Sequence, residues 1–119
     1  VSEIADKLRE ARALIERGWT KGEFALDANG DEADGITAQP VCFCALGAIS
    51  QAAIGYPNPD ADDLPVINEP FDEVATFFAG SLGFRFSHEV ARWNDALGRT
   101  QAEVLAAFDK AIELAEQSA

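Results

Sequence analysis

The chain of 119 residues contains no methionine, a single histidine and two cysteines, and from residue 23 to residue 80 it has no lysine or arginine. Each shortage excludes something. The 23–80 stretch holds eleven acidic groups and nothing that could neutralise a phosphate backbone, so direct binding to nucleic acid is not expected. One histidine and two cysteines a residue apart cannot supply a tetrahedral zinc set. No apolar run approaches the ~20 residues needed to cross a bilayer, and no charged leader precedes a short apolar core. Neither a membrane contact nor a signal peptide is expected. Cys42 and Cys44, if they lie on a helix, point to nearly opposite sides and cannot bridge, which suits a reduced, cytoplasmic setting. A chain that starts at Val1 and lacks Met is expected to have lost its initiator or to have been trimmed.

What is present describes a globular protein. With 48% apolar and 25% charged residues the composition is not that of a disordered acidic tail. The length suits one domain, which can remove ~65% of its unfolded surface from water. The net charge of −12 is unevenly spread. Residues 1–22 carry five basic and four acidic groups and residues 81–119 four and six, so the middle supplies most of it.

Helical signals dominate. Ser2 can cap a helix in which Ile4, Leu8, Ala11, Leu14 and Ile15 follow the 3.6-residue period, with Glu3 and Lys7, and Arg12 and Glu16, paired outside and Gly18 as the stop. The stretch 41–54 has no charge, follows Pro40 and precedes Gly55, and so predicts a helix buried on most faces. Gly47 in its middle costs about 1 kcal/mol of helix propensity, which makes sense where another helix packs closely. Asn68 and Pro70 open a third helix with Phe71, Val74, Ala75, Phe78 and Leu82 on one stripe, closed by Gly80 and Gly83. Ser87 starts a short fourth one. The fifth begins with a capping box, Thr100 to Glu103, and runs on through Val104, Leu105, Phe108, Ala111, Ile112 and Ala115. Between the first two helices, Asn29-Gly30 suits a tight turn after Phe24-Ala25-Leu26. The return segment 32–37 is poor in β formers, so a small hairpin and an irregular loop both remain open. The fold class is mainly α, with about five helices.

Three clusters carry a resemblance. Trp19 with Gly22 after a helix that ends in Gly18, the run Cys44-Ala45-Leu46-Gly47-Ala48-Ile49, and Trp93-Asn94-Asp95 followed by Gly98-Arg99-Thr100 and Glu103-Val104 together resemble a family of small domains of unknown function from actinobacteria and their phages. The resemblance covers most of the chain, least across residues 28–39 and 56–82. It implies a fold and a source, and no catalytic residue or cofactor.

Several constellations could carry chemistry. Cys42 or Cys44 near a helix start, with His88 and then Asn94 or Asp95, has the order of a cysteine hydrolase, while a small core thiol and a polar first-turn histidine explain the same residues. Asp27, Asn29 and Asp31 match the first ligand positions of a calcium loop, but Glu32 stands where glycine is needed and Ala38 where a bidentate Glu belongs. Asp60, Asp62 and Asp63 add oxygens with no turn to organise them. Solvated loop carboxylates are therefore expected, with no metal and no cofactor. Trp93, Asn94 and Asp95 can form a recognition surface, or can close a turn in which Arg99 pairs with Asp95. The acids of 23–34 and 60–73 could, on one face, imitate DNA toward a nucleic-acid-binding protein. Phe84 and Phe86 around Arg85 are the residue types that anchor interfaces, unless both rings cover the core. The reading that joins these is a non-enzymatic binding or regulatory module acting on a protein partner or a second copy of itself.

Overall fold

The computed structural model describes residues 3–33, 39–58 and 69–117. Within them the order is α1 (Glu3–Arg17), β1 (Ala25–Leu26), β2 (Cys42–Phe43), α2 (Ala45–Ile54), α3 (Glu69–Ser81), α4 (Glu89–Asp95) and α5 (Gln101–Gln117). The mainly helical expectation holds, with five helices and a two-stranded antiparallel ribbon between the first two of them. Ser2, Asn68 and Asp60, Asp62 and Asp63, half of the acids of 60–73, lie outside the described residues, as do most of 32–37.

The amphipathic stripes become the core. Leu8, Ala11 and Ile15 of α1 meet Val104, Phe108, Ala111, Ile112 and Ala115 of α5, and Phe71, Val74, Ala75 and Phe78 of α3 complete the enclosure. The first six residues of α2 are all buried, so this helix lies at the centre. Phe78 packs on Phe108 with ring centroids 4.4 Å apart. Arg12 reaches Asp109 at 2.6 Å and Arg9 pairs with Glu116, tying α1 to α5 on the outside. These pairs are exposed and contribute ~0–1 kcal/mol each.

Helix ends follow local chemistry. The Thr100 hydroxyl accepts from Glu103 N at 3.2 Å and the Glu103 carboxylate accepts from Thr100 N at 2.9 Å, which completes the capping box. After α3, Gly83 takes φ +87, its N–H reaches Gly80 O, and Phe84 N–H reaches back to Ala79 O at 2.9 Å. That is the Schellman arrangement, and it turns Phe84 onto the core.

The second helix corrects the sequence reading. It starts at Ala45, not at residue 41, because Cys42–Phe43 is a strand paired with Ala25–Leu26. An uncharged run has no period by which a buried strand and a buried helix differ, so tertiary hydrogen bonds decide. Phe43 N donates to Gly18 O, Thr20 N donates to Phe43 O, and Cys44 N donates to Phe24 O at 3.1 Å. Cys42 and Cys44 are therefore not on a helix. The first lies in β2 and the second is the N-cap of α2, with extended dihedrals. The ribbon's partner strand is β2 and not the 32–37 segment weighed for it, of which Glu32 and Ala33 reach β1 through the Leu26–Glu32 bridge and the Ala33 N–H bond to Ala25 O.

Gly47 explains the seating of the ribbon. The neighbour that needs its missing side chain is the backbone of Phe24 and not another helix, since a Cβ there would run into the Phe24 carbonyl. Gly18 has the same role against the Val41 carbonyl. Gly80, also helical, has open space around it. Gly47→Ala is expected to destabilise the protein by about 2 kcal/mol or more, because backbone cannot yield as a side chain does. Gly80→Ala is expected to stabilise it by up to ~1 kcal/mol through helix propensity. Urea unfolding of the two variants checks the opposite signs.

Candidate functional site

The short helix α4 buries the middle residue of the conspicuous Trp93-Asn94-Asp95 triplet, between a half-buried Trp93 and an exposed Asp95. Asn94 is 0% exposed. Its Oδ1 accepts from Trp19 Nε1 at 2.8 Å and from Ala45 N at 3.0 Å. Its Nδ2 donates to Thr20 O at 3.1 Å and to Asp95 Oδ1 at 3.0 Å. Asp95 in turn accepts from Gly22 N at 3.0 Å. One amide thus joins the segment after α1, the first turn of α2 and α4.

Trp93 is half-buried, edge-on to Phe78 at 6.1 Å, with the Arg99 guanidinium 4.5 Å from its ring. Arg99 does not pair with Asp95 as the sequence suggests. Its Nε donates to Trp93 O at 2.9 Å and its Nη1 pairs with Glu103 at 3.5 Å, while Asp95 is taken by Gly22 and Asn94. Lys21 Nζ donates to Ala96 O at 2.9 Å, which occupies a carbonyl at the C-terminal end of α4. Trp19, Lys21 and Gly22 were not singled out as site residues by sequence. Their partners stand more than 70 positions along the chain, and only the first cluster of the resemblance touched them.

A cleft of about 300 Å³ opens beside this knot, lined by Gly22, Glu23, Phe24, Glu32, Cys44, Ala91 and Asp95. It brings Cys44 and Asp95 together but is not lined by His88. The imidazole is exposed at the entrance to α4, parallel to the Phe86 ring with 5.5 Å between centroids. Cys44 is 6% exposed, and its Sγ accepts from Gly47 N at 3.3 Å. Burial pushes the thiol from 9.0 up to about 11, and the Asp95 charge adds to the rise. A nucleophile needs the opposite shift. In the Asp27–Asp31 turn, Asp27 Oδ1 accepts from Asn29 N and Asp31 N, so the calcium-like spacing serves a local turn. Among the described residues no three His, Cys, Asp or Glu side chains gather so as to hold a metal ion, and no helix is long and apolar enough to cross a membrane.

The two phenylalanines separate. Phe84 packs on the core, whereas Phe86 is 52% exposed. Leu97, which sequence reasoning passed over, is entirely exposed in the turn between α4 and α5.

Fold and site together define a small, mainly helical domain tied at its centre by a buried amide. Over residues 1–114 the chain matches the model of a family of unknown function, DUF6197, and it belongs to that family. No curated protein and no solved structure matches it significantly.

Replacing Asn94 tests the knot. Asn94→Ala leaves the Trp19 indole N–H and the Ala45 N–H unpaired and is expected to cost on the order of 3 kcal/mol, read by urea unfolding with tryptophan fluorescence. Cys44 is expected to resist iodoacetamide at pH 8 until the protein is unfolded, as mass spectrometry of the labelled chain will record. The folded thiol holds a proton that the unfolded one releases, so Cys44 makes stability fall as pH rises from about 9 toward 11.

Proposed function

We propose that this protein, from an actinobacterium or a phage that infects one, is a non-enzymatic binding or regulatory module that works by contact with another protein through α4 and its two flanking turns. The observation that carries the reading is that Phe86 and Leu97, at the two ends of α4, stand in solvent on turns held by hydrogen bonds. Ahead of α4, Glu89 N reaches Phe86 O and Val90 N reaches Ser87 O. Behind it, Arg99 N and Lys21 Nζ both donate to Ala96 O, Gly98 takes φ +81, and Arg99 Nε holds Trp93 O. An apolar side chain kept in water forgoes roughly 1.5–3 kcal/mol of burial. Holding it on a fixed turn spares a complex the entropy of ordering that turn, which favours association.

The cysteine hydrolase reading is poorly supported, because Cys44 is buried and protonated and Cys42, in β2, does not line the cleft. A DNA-like array of acids would need the second acidic cluster, half of whose acids, Asp60, Asp62 and Asp63, lie outside the described residues. The experiment is an affinity purification from an actinobacterial host extract, run with the wild type and with Phe86→Ser/Leu97→Ser. Both side chains are exposed, so circular dichroism melts should nearly coincide. The reading expects a protein retained by the wild type and lost with the variant. Identical retention by both, or none by either, would sink it.

A further inference from the structure

The entrance to α4 also bears on what a partner carries, and this step rests on the binding-module reading. Phe86 is flanked by two cationic or ionisable neighbours. The His88 imidazole lies 10° from parallel to its ring, and the Arg85 guanidinium carbon is 5.8 Å from the ring centroid. His88 already has helical dihedrals, φ −63 and ψ −21, so Arg92, four residues on, shares its side of α4. Phe86, His88 and Arg92 make one exposed strip with Arg85 at its end.

The strip gathers positive charge that no carboxylate among the described residues holds. Arg9, Arg12 and Arg99 each hold a carboxylate, whereas among the described residues Arg17, on α1, and Arg85 and Arg92, together in this strip, form no ion pair. Of the two acids on α4, Glu89 is half-buried and Asp95 is held by Gly22 N and Asn94. In a chain of net charge −12, two guanidiniums without carboxylates beside an exposed ring mark a place complementary to negative charge.

We propose that this strip docks an acidic protein segment, with carboxylates on Arg85 and Arg92 and an apolar side chain against Phe86. Guanidinium forks suit carboxylates because two parallel N–H···O bonds can form. A protein segment fits better than a nucleic acid or an anionic membrane. A short segment can touch the two arginines without running across the other acids of a chain of net charge −12. A long polyanion would lie against those acids.

Selection of a random twelve-residue peptide library, displayed on phage, against the immobilised full chain reads the partner chemistry directly. The expected result is enrichment of acidic peptides that carry an aromatic or branched aliphatic residue. Their affinity, measured by fluorescence polarisation, should drop about tenfold or more in Arg85→Glu/Arg92→Glu and in Phe86→Ser. A basic analogue of the selected peptide should bind the charge-reversed variant better than the wild type. Unchanged thermal melts of these surface variants separate lost contact from lost folding. Acidic peptides that bind the charge-reversed variant equally well overturn the proposal. So do enriched basic peptides; if Phe86→Ser/Leu97→Ser abolishes their binding, the binding-module reading still stands. No enrichment at all also overturns the acidic-segment proposal, while the host-extract experiment judges the module independently.

Discussion

A buried primary amide has two donors and two acceptor lone pairs, and each one left unpaired away from water costs about 1–3 kcal/mol. Asn94 fills all four, with Trp19, Ala45, Thr20 and Asp95. The partners come from three parts of the chain, so the amide is satisfied only when the segment after α1, the start of α2 and α4 have all reached their native places. A seven-residue helix such as α4 is too short to persist alone. It is held by this amide, by Val90 in the core, and by the bonds that Lys21 and Arg99 make to its last carbonyls.

That convergence depends on backbone approaching backbone. Phe43 bonds to Gly18 and Thr20 on one side while Cys44 bonds to Phe24 on the other, and Gly18 and Gly47 are the positions at which a side chain would block the approach. Once the ribbon is seated, Cys44 caps α2, Trp19 points its indole at Asn94, and Gly22 presents its N–H to Asp95. The turns on either side of α4 inherit this rigidity. Phe86 and Leu97 are thereby fixed in solvent, and the proposed contact surface is a consequence of the core's polar tie.

Legibility in the sequence varied with the range of the interaction. The stripes of α1, α3 and α5 and the capping box at Thr100 and Glu103 involve neighbours three or four residues apart, and they stand where periodicity places them. The start of α2 was misjudged because a run without charge has no polar face to reveal its period. Gly47 was correctly marked as a close approach, yet the neighbour proved to be the Phe24 carbonyl, just ahead of β1. Trp93-Asn94-Asp95 drew notice as a recognition surface or a closed turn. Asn94 is buried with all its bonds inside the molecule, and the pairing of Arg99 went to Glu103 because Asp95 was already engaged. Phe84 and Phe86 could not be told apart by spacing, since a Schellman turn between α3 and α4 directs one inward and the other outward.

The sequence alone determined the helical class, the packing stripes of α1, α3 and α5, the concentration of acid in the middle of the chain and the absence of basic groups there. These are properties of composition and of contacts within one or two helical turns. Tertiary structure decided which residues pair across more than 70 positions, that Cys44 is a buried cap with a raised pKa, and that Phe86 and Leu97 remain outside. The reason is physical. A hydrogen bond from Trp19 to Asn94 or a carbonyl against Gly47 exists only after distant segments have been brought together, and no local propensity encodes which of several candidate partners arrives.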